Sequence, residues 1–572
     1  MKKYGFLFIT LSVVFIGFFH EITAINQDLG RHILLGKIIV QTRVIPNTNL
    51  LSYTYPDYQF INHHWLSEVV FYGFSQLVGL SGLLLFTSFV ATGAFALVAF
   101  TSMKKFGIVP TLFVSAFYLP ILFERTDLRP EIFSFLFVTL FVTILFQNKE
   151  QPTRWLYVLI PLLLLWVNMH IYFLIGVLLI GLFLIDEGIA YIQKKSPNKR
   201  FFPLLITFCV SLFATLCNPY GLTGALYPFI VLQQYGYAIE ENQHILFLWQ
   251  LNQKSSIAYF LLASILVVLS LLLTRKRTRR IDWLLVVTCI GVASIAIRNF
   301  PLFVLITFLP FARTIKIFSE RIALHTPLLT GIQKAMPFFL VFILLFHGYN
   351  ETRMTPIGAT LTPGAQKGVD FLITNTIQGP LFNNFDIGSY LAYRLYPKEK
   401  VFVDGRPEAY PPAFFKDIYI PMQNSPILFK KQDEQYHFNT IFFSHSDQTP
   451  WAQIFLRSIL HNPEWKPVYL DDFVIILIKN TQANASLIRT SGMDTKTLLP
   501  SYYNKHDLQS LLRLVYFFHL TQLPKQEIVY LKKIITLQPN HCSALGILGN
   551  LLQKDSPQET EAIFKQYQAY CQ

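Results

Sequence analysis

Asp28, Arg31 and His32 stand together in the stretch INQDLGRH (residues 25–32), just beyond the apolar run YGFLFITLSVVFIGFFH (4–20). A carboxylate, a guanidinium and an imidazole at the end of a membrane helix can take a proton from a hydroxyl and hold an anion. Further along the same connection come Asp57, His63 and His64, followed by Glu68. His64 and Glu68 are four residues apart, as are Asp28 and His32, so each pair shares one face of a helix. Two such pairs brought together are candidates for a divalent metal, or for an acceptor hydroxyl whose proton passes to a carboxylate. The plain alternative has Asp28 capping a helix start and the histidines serving as interfacial polar groups. We prefer the functional reading for Asp28 and the plain one for the metal.

A second group is FERTDLRPE (123–131), with Glu124, Arg125, Asp127, Arg129 and Glu131. Arg125 and Arg129 could form a fork for phosphate oxygens, which planar guanidinium donors suit. A loop of mutually neutralising ion pairs accounts for the same residues. Arg298 and Asn299 end another apolar run, and WVNMHIY (166–172) adds Asn168 and His170. CNPYGLTGALYPF (217–229) reads as a turn followed by a reentrant or interfacial helix. The chain from there to ENQHILFLWQ (241–250) reads as an external loop able to cover a lipid or an acceptor.

These groups need a membrane domain to position them. Of 572 residues, 53% are hydrophobic and only 14% charged, with a mean hydropathy of +0.42; a soluble protein carries about 25% charged residues. The apolar runs predict an α-helical polytopic membrane domain over 1–350 with about eleven spans, each near the ~20 residues a bilayer requires. Their cores are 4–20, 82–102, 108–123, 131–147, 155–168, 171–190, 201–217, 256–274, 282–298, 300–312 and 336–349. Residues 65–79 are amphipathic and are expected to lie at the interface. The first run is expected to stay as an uncleaved anchor, since no small-residue cleavage site follows it. Residues 24–64 form a long first external loop.

Alternate loops are basic: Lys2-Lys3, Lys104-Lys105, NKEQPTR, QKKSPNKR, RKRTRR and RTIKIFSER. By the positive-inside bias these are cytoplasmic, as is the N-terminus. The loops holding Asp28, Arg125, His170 and Arg298 then lie outside, with everything after about residue 350. The formal charge of +14 is thereby assigned to membrane orientation, and nucleic acid is excluded as a partner. Cations on the outer face run against the bias and point to an anionic lipid ligand. Trp155, Trp166 and Trp283 fall at span ends and are expected at the interface.

After residue 350 the pattern changes. KVFVD, TIFFS and FVIILI alternate with helical stretches, which predicts a small external α/β domain over 351–480. Residues 501–572 read as a short helical, tetratricopeptide-like tail. The tail is too short for a free-standing array, so it must dock on its neighbour or on a protein partner. Cys542 and Cys571 could pair in an oxidising compartment. In FVDGRPEAYP (402–411), Asp404-Gly405 makes a turn, with Arg406 able to pair with Asp386 or Asp417; acceptor binding is the alternative.

The order of DLGRHILLGKIIVQTRVIPNTNLLSYT, HHWLSEVVFYG, RPEIFSFLF, WVNMHIYFLIG, RNFPLF and FNNFDIGSYLAYRLYPKEKVFVDGRPEAYP resembles the GT-C superfamily of integral-membrane glycosyltransferases. That superfamily includes the protein O-mannosyltransferases and the aminoarabinose transferases. More closely, the order resembles bacterial multi-spanning proteins that carry tetratricopeptide segments. The resemblance extends to about residue 480. It implies a polyprenyl-phosphate sugar donor, with Asp28 and Glu68 as catalytic residues and Arg125, Arg129 and Arg298 on the donor phosphate. It further implies His32, His64, His170 and Asn299 orienting the acceptor, with His64 and Glu68 as candidates for a divalent metal. The superfamily's first loop often carries two close acidic residues, where this chain has Arg31 and His32. The site implied is that of a multi-pass protein of the bacterial cytoplasmic (inner) membrane, with its soluble domain on the periplasmic side.

Two competing functions remain. A non-catalytic envelope scaffold would use the α/β domain and the tail to bind a partner. A transporter would show broken helices near the midplane and an internal repeat; no repeat is evident, and the charges gather at the outer span ends.

Overall fold

The computed structural model describes residues 2–23, 28–194, 198–252, 254–322, 327–354, 357–358, 361–362, 364–553 and 556–571. Residues 25–27 of the opening stretch and 195–197 of the basic loop QKKSPNKR lie outside them. The chain forms two compact units. One comprises Met1–Ile22, His32–Asn47 and Ile61–Thr362, and the other Thr23–Arg31, Thr48–Phe60 and Pro363–Gln572.

The first unit is a bundle of membrane helices. Each of the eleven apolar runs falls on a helix, because a segment in lipid must satisfy its own backbone hydrogen bonds. Among the described residues, six helices are long and apolar enough to cross a bilayer: Trp65–Phe106, Ile108–Arg125, Glu131–Glu150, Phe173–Ile192, Ser255–Leu273 and Ile297–Glu320. Lys2–Phe18, Asn198–Ala214 and Arg280–Ile295 have 17, 17 and 16 residues. At ~1.5 Å per residue that is about 24–26 Å, short of the ~30 Å hydrocarbon core, so fewer helices than the eleven expected meet the span length. The chain is 72% helical and is an α-helical polytopic membrane protein with a small four-stranded sheet.

Residues 65–79, expected as a separate interfacial helix, are set off from the rest of Trp65–Phe106 by a break at Gly79, whose φ of 71° suits a residue without a side chain. Hydroxyl pairs tie the helices together where lipid offers no hydrophobic drive: Tyr118 with Thr307 at 2.7 Å, Ser270 with Thr314 at 2.7 Å and Ser102 with Thr111 at 2.8 Å. Trp166 is not interfacial. It is fully buried, and its indole N–H donates to Ser134 Oγ at 2.8 Å. A helix that was read as loop, Leu29–Thr42, lies within the first connection.

In the second unit Leu381–Asn383 pairs in parallel with Thr440–Ser444. Thr440–Ser444 runs antiparallel to Val474–Lys479, which runs antiparallel to Trp465–Leu470. Thr440–Ser444 is buried at every position, which is why it reads as a continuous apolar run. The first connection supplies residues to this unit. Tyr53 N donates to Val401 O at 3.1 Å, and the Ser52 and Thr54 hydroxyls donate to Phe402 O at 3.0 and 2.9 Å. Arg406 has no exposed surface. It pairs with Asp404 at 2.6 Å, not with Asp386 or Asp417, and donates to Asn49 Oδ1 at 2.8 Å. Removing one member of such a buried pair costs about 3–5 kcal/mol, so the DGR turn holds residues 48–60 in place.

The tail folds as four helices, Leu508–Leu520, Pro524–Leu537, Cys542–Leu552 and Pro557–Cys571. It docks on the α/β fold through Arg513 to Asp472 at 2.6 Å, Gln453 to Tyr516 OH at 2.8 Å and Arg457 to Leu520 O at 2.7 Å. Cys542 and Cys571 are disulfide-bonded. Disulfides persist in oxidising compartments. In intact cells, both cysteines are expected to resist maleimide until a reductant is added. Labelling only after the membrane is permeabilised, without reductant, would place the tail in the cytoplasm.

Candidate functional site

In the first unit the site begins at the N-terminus of Trp65–Phe106. Glu68 lies in the first turn, where the helix dipole favours a carboxylate, and it is fully buried. Asn62 Nδ2 donates to its Oε2 at 2.7 Å, and His32 Nδ1 donates to its Oε1 at 3.0 Å. The contact depends on Gly36, where a Cβ would lie 2.0 Å from the Glu68 carbonyl oxygen. His32, 36 residues away in sequence, is thereby a partner of Glu68. His64 lies within a row of imidazoles, 5.3 Å from His32, 3.9 Å from His63 and 5.1 Å from His170 between ring centroids. His63 also lines a small pocket with Asn62, Trp65, Asn218, Tyr220 and Tyr227.

His170 sits where the helix Leu159–Met169 ends, and its ring is held in one tautomer. Tyr172 N–H donates to Nδ1 at 3.3 Å. Ser134 Oγ, which accepts from Trp166, is 3.0 Å from the same nitrogen and donates its proton there. The proton of the neutral ring is therefore on Nε2. Burial pushes the imidazole well below its ordinary pKa, and the nearby Arg298, His63 and Arg125 push the same way.

Tyr172 links this row to a cationic group. Its hydroxyl donates to Asn299 Oδ1 at 3.0 Å and accepts from Arg298 Nε at 3.2 Å. Asn299 Nδ2 donates to Val292 O at 2.9 Å, so its amide positions Tyr172. Arg298 Nη1 donates to Asn242 Oδ1 at 2.8 Å. The preceding residue, Glu241, contacts Arg125 closely and accepts from Arg129 Nη1 at 2.9 and 3.1 Å. Arg125 also donates to Glu131 Oε1 at 2.9 Å through Nε, and its Nη2 lies 2.8 Å from the same oxygen as an ion pair. The three arginines come from two connections, 123–130 and 296–299, and a third connection supplies the acceptors Glu241 and Asn242. The Arg125–Arg129 fork exists, with a carboxylate in it rather than open space.

Asp28 belongs to the second unit. Its Oδ1 is 3.2 Å from Arg31 Nη2 and accepts from Ser389 Oγ at 3.3 Å, and Ser389 Oγ in turn accepts from Gly405 N at 3.1 Å. Asp28 and Arg31 form a pair, with 23% of the Asp28 side chain exposed. In the same unit burial, with the carboxylates of Asp447 and Asp28, pushes Asp386 up to about 7.

No group of three or more His, Cys, Asp or Glu residues among the described residues could hold a metal ion. Both Glu68 oxygens are engaged by His32 and Asn62. No step is routed through a metal. Sequence reasoning missed Glu241, Asn242 and Tyr172. The quoted stretches ENQHILFLWQ and WVNMHIY contained all three, and an acid in an outer loop of a chain with outer cations was the available signal.

No family model and no curated protein matches the chain. Among solved structures, the archaeal oligosaccharyltransferase AglB from Archaeoglobus fulgidus, in complex with an inhibitory peptide and a dolichol-phosphate, superposes with a TM-score of 0.52 at 9% identity. The match covers 94% of this chain and 86% of that one. ArnT from Cupriavidus metallidurans matches at TM-score 0.48 in the apo state (12% identity, 84% and 98% covered) and bound to undecaprenyl phosphate (9% identity, 82% and 97% covered). The likeness to AglB is one of fold, that of a polytopic helical membrane protein.

The neutral His170 makes a testable signature. Below about pH 6.5 an unfolded chain protonates this imidazole while the folded site refuses the proton. Folding stability is then expected to fall as pH drops, by up to ~1.4 kcal/mol per pH unit until the depressed folded-state pKa is reached. Thermal melts between pH 7.5 and 5.5 are expected to show a shallower decline for His170→Gln than for wild type. Equal slopes would contradict a buried neutral imidazole.

Proposed function

We propose that the protein is a membrane glycosyltransferase. It moves a sugar from a polyprenyl-phosphate donor to an envelope acceptor on the external face of the bacterial cytoplasmic membrane. The observation that carries this reading is the gathering of three arginines at one turn, Arg125 and Arg129 on the Glu241 carboxylate and Arg298 on Asn242. Guanidinium groups at membrane depth are costly unless they serve a partner, and their planar donors match phosphate oxygens. The likeness of fold to AglB supports the same reading.

In this mechanism an acceptor hydroxyl attacks the anomeric carbon from the face opposite the phosphate. Its proton passes to Asp28, the partly exposed carboxylate. The bond from the anomeric carbon to the phosphate oxygen breaks, and the polyprenyl phosphate leaves into the arginine cluster. Glu68 fixes His32, and with His64, His170 and Asn299 it orders the acceptor side. A non-catalytic scaffold draws on one specific observation, that Glu131 and Glu241 already neutralise two of the arginines.

Binding and turnover separate the two readings. Purified protein in nanodiscs is expected to bind undecaprenyl phosphate, and Arg298→Gln to weaken that binding about tenfold or more. Asp28→Asn is expected to leave lipid binding intact. It should slow transfer from labelled undecaprenyl-phosphate hexose to envelope extract by ~10²–10⁴-fold. Full turnover in Asp28→Asn removes that residue from the mechanism, and absence of both lipid binding and transfer in wild type leaves the scaffold.

A further inference from the structure

We propose that Glu241 is a built-in occupant of the donor-phosphate position, and that a lipid-linked phosphate enters by displacing its carboxylate and the 240–242 turn from the three arginines. This deepens the reading above and rests on it.

The two acids in the cluster are not equivalent. Glu131 is the first residue of the helix Glu131–Glu150, its side chain is 3% exposed, and it stays with Arg125. Glu241 is carried by a three-residue 3₁₀ turn, Glu240–Asn242, and its side chain is 14% exposed. Its two oxygens span Arg125 and Arg129, charge-assisted contacts of the kind that guanidinium donors make to phosphate oxygens. The next residue, Asn242, takes Arg298. One short turn therefore supplies acceptors to all three arginines, and its withdrawal removes an acceptor from each at once.

The charges fit an exchange. Glu241 contributes one negative charge to the cluster, beside Glu131 and the nearby Asp127, which remain when it withdraws. A sugar–phosphate diester carries one negative charge, so it replaces Glu241 without changing the balance. The phosphate monoester left after transfer carries about −1.5 to −2, so the vacated cluster holds the leaving group more strongly than the intact donor, as a transition-state site should. Burial raises the Glu241 carboxyl, but Arg129, Arg125 and Arg298 outweigh it and hold the group far below the ordinary carboxylate range. It stays ionised across working pH, which leaves a competing anion as the means of release.

The test uses the full chain in nanodiscs with undecaprenyl phosphate as probe. Glu241→Gln keeps the side chain's shape and removes its charge, and is expected to bind the lipid about tenfold or more tighter than wild type. Unchanged or weaker binding, with wild type binding normally, overturns the proposal. In wild type itself, backbone amides of 239–243 are expected to exchange hydrogen faster once the lipid saturates; unchanged or slower exchange overturns it, and this measurement decides alone if the variant does not fold. Inorganic phosphate giving the same acceleration at equal concentration also overturns it, since the occupant would then not be lipid-linked. A wild type that binds no undecaprenyl phosphate removes the glycosyltransferase reading itself, a different failure from lipid binding that leaves the turn in place.

Discussion

A charge buried where water is scarce must be compensated on the spot, and this constraint organises the functional end of the membrane unit. Arg125 is 5% exposed and Glu131 3% exposed; neither could be buried without the other, because desolvating a lone ion costs several kcal/mol. The same rule brings Glu241 to Arg125 and Arg129, and Asn242 to Arg298. Connections far apart in sequence are thereby fastened into one arrangement, with the helices Phe173–Ile192 and Glu131–Glu150 as its rigid supports.

The imidazole row obeys a related rule for neutral polar groups. Each ring has a defined neighbour, and Glu68 orients the first of them through a helix contact that only Gly36 permits. His170 stays uncharged because three cationic or basic neighbours and burial oppose its protonation together. The site therefore has a cationic side and a neutral imidazole side, joined by Tyr172. That division suits a reaction in which an anion departs on one side and a hydroxyl is presented on the other.

Much of this could be read from sequence, for physical reasons that also mark where the reading stopped. The membrane helices showed in apolar length, and the buried strand Thr440–Ser444 showed as an unbroken apolar run. Arg125, Arg129, Arg298 and His170 stood out because charged and polar residues at the outer ends of apolar runs are expensive. Glu241 did not, since an acid in a polar loop is unremarkable until the fold brings it to a cation more than a hundred residues away. The helix Leu29–Thr42 was hidden in a connection read as loop. Trp166 looked interfacial from its place at a run's end, and only the Ser134 partner inside the bundle explains its burial. In FVDGRPEAYP the turn and ion pair were legible, but its partner Asn49 lies in a segment that sequence order assigns to the membrane half.

The account stands most directly on where a lipid phosphate sits. A cryo-EM map of the wild-type chain in nanodiscs with undecaprenyl phosphate is predicted to place the phosphate among Arg125, Arg129 and Arg298, at ~2.7–2.9 Å from their guanidinium nitrogens. A phosphate bound elsewhere, with the arginines still closed on Glu131, Glu241 and Asn242, would contradict it.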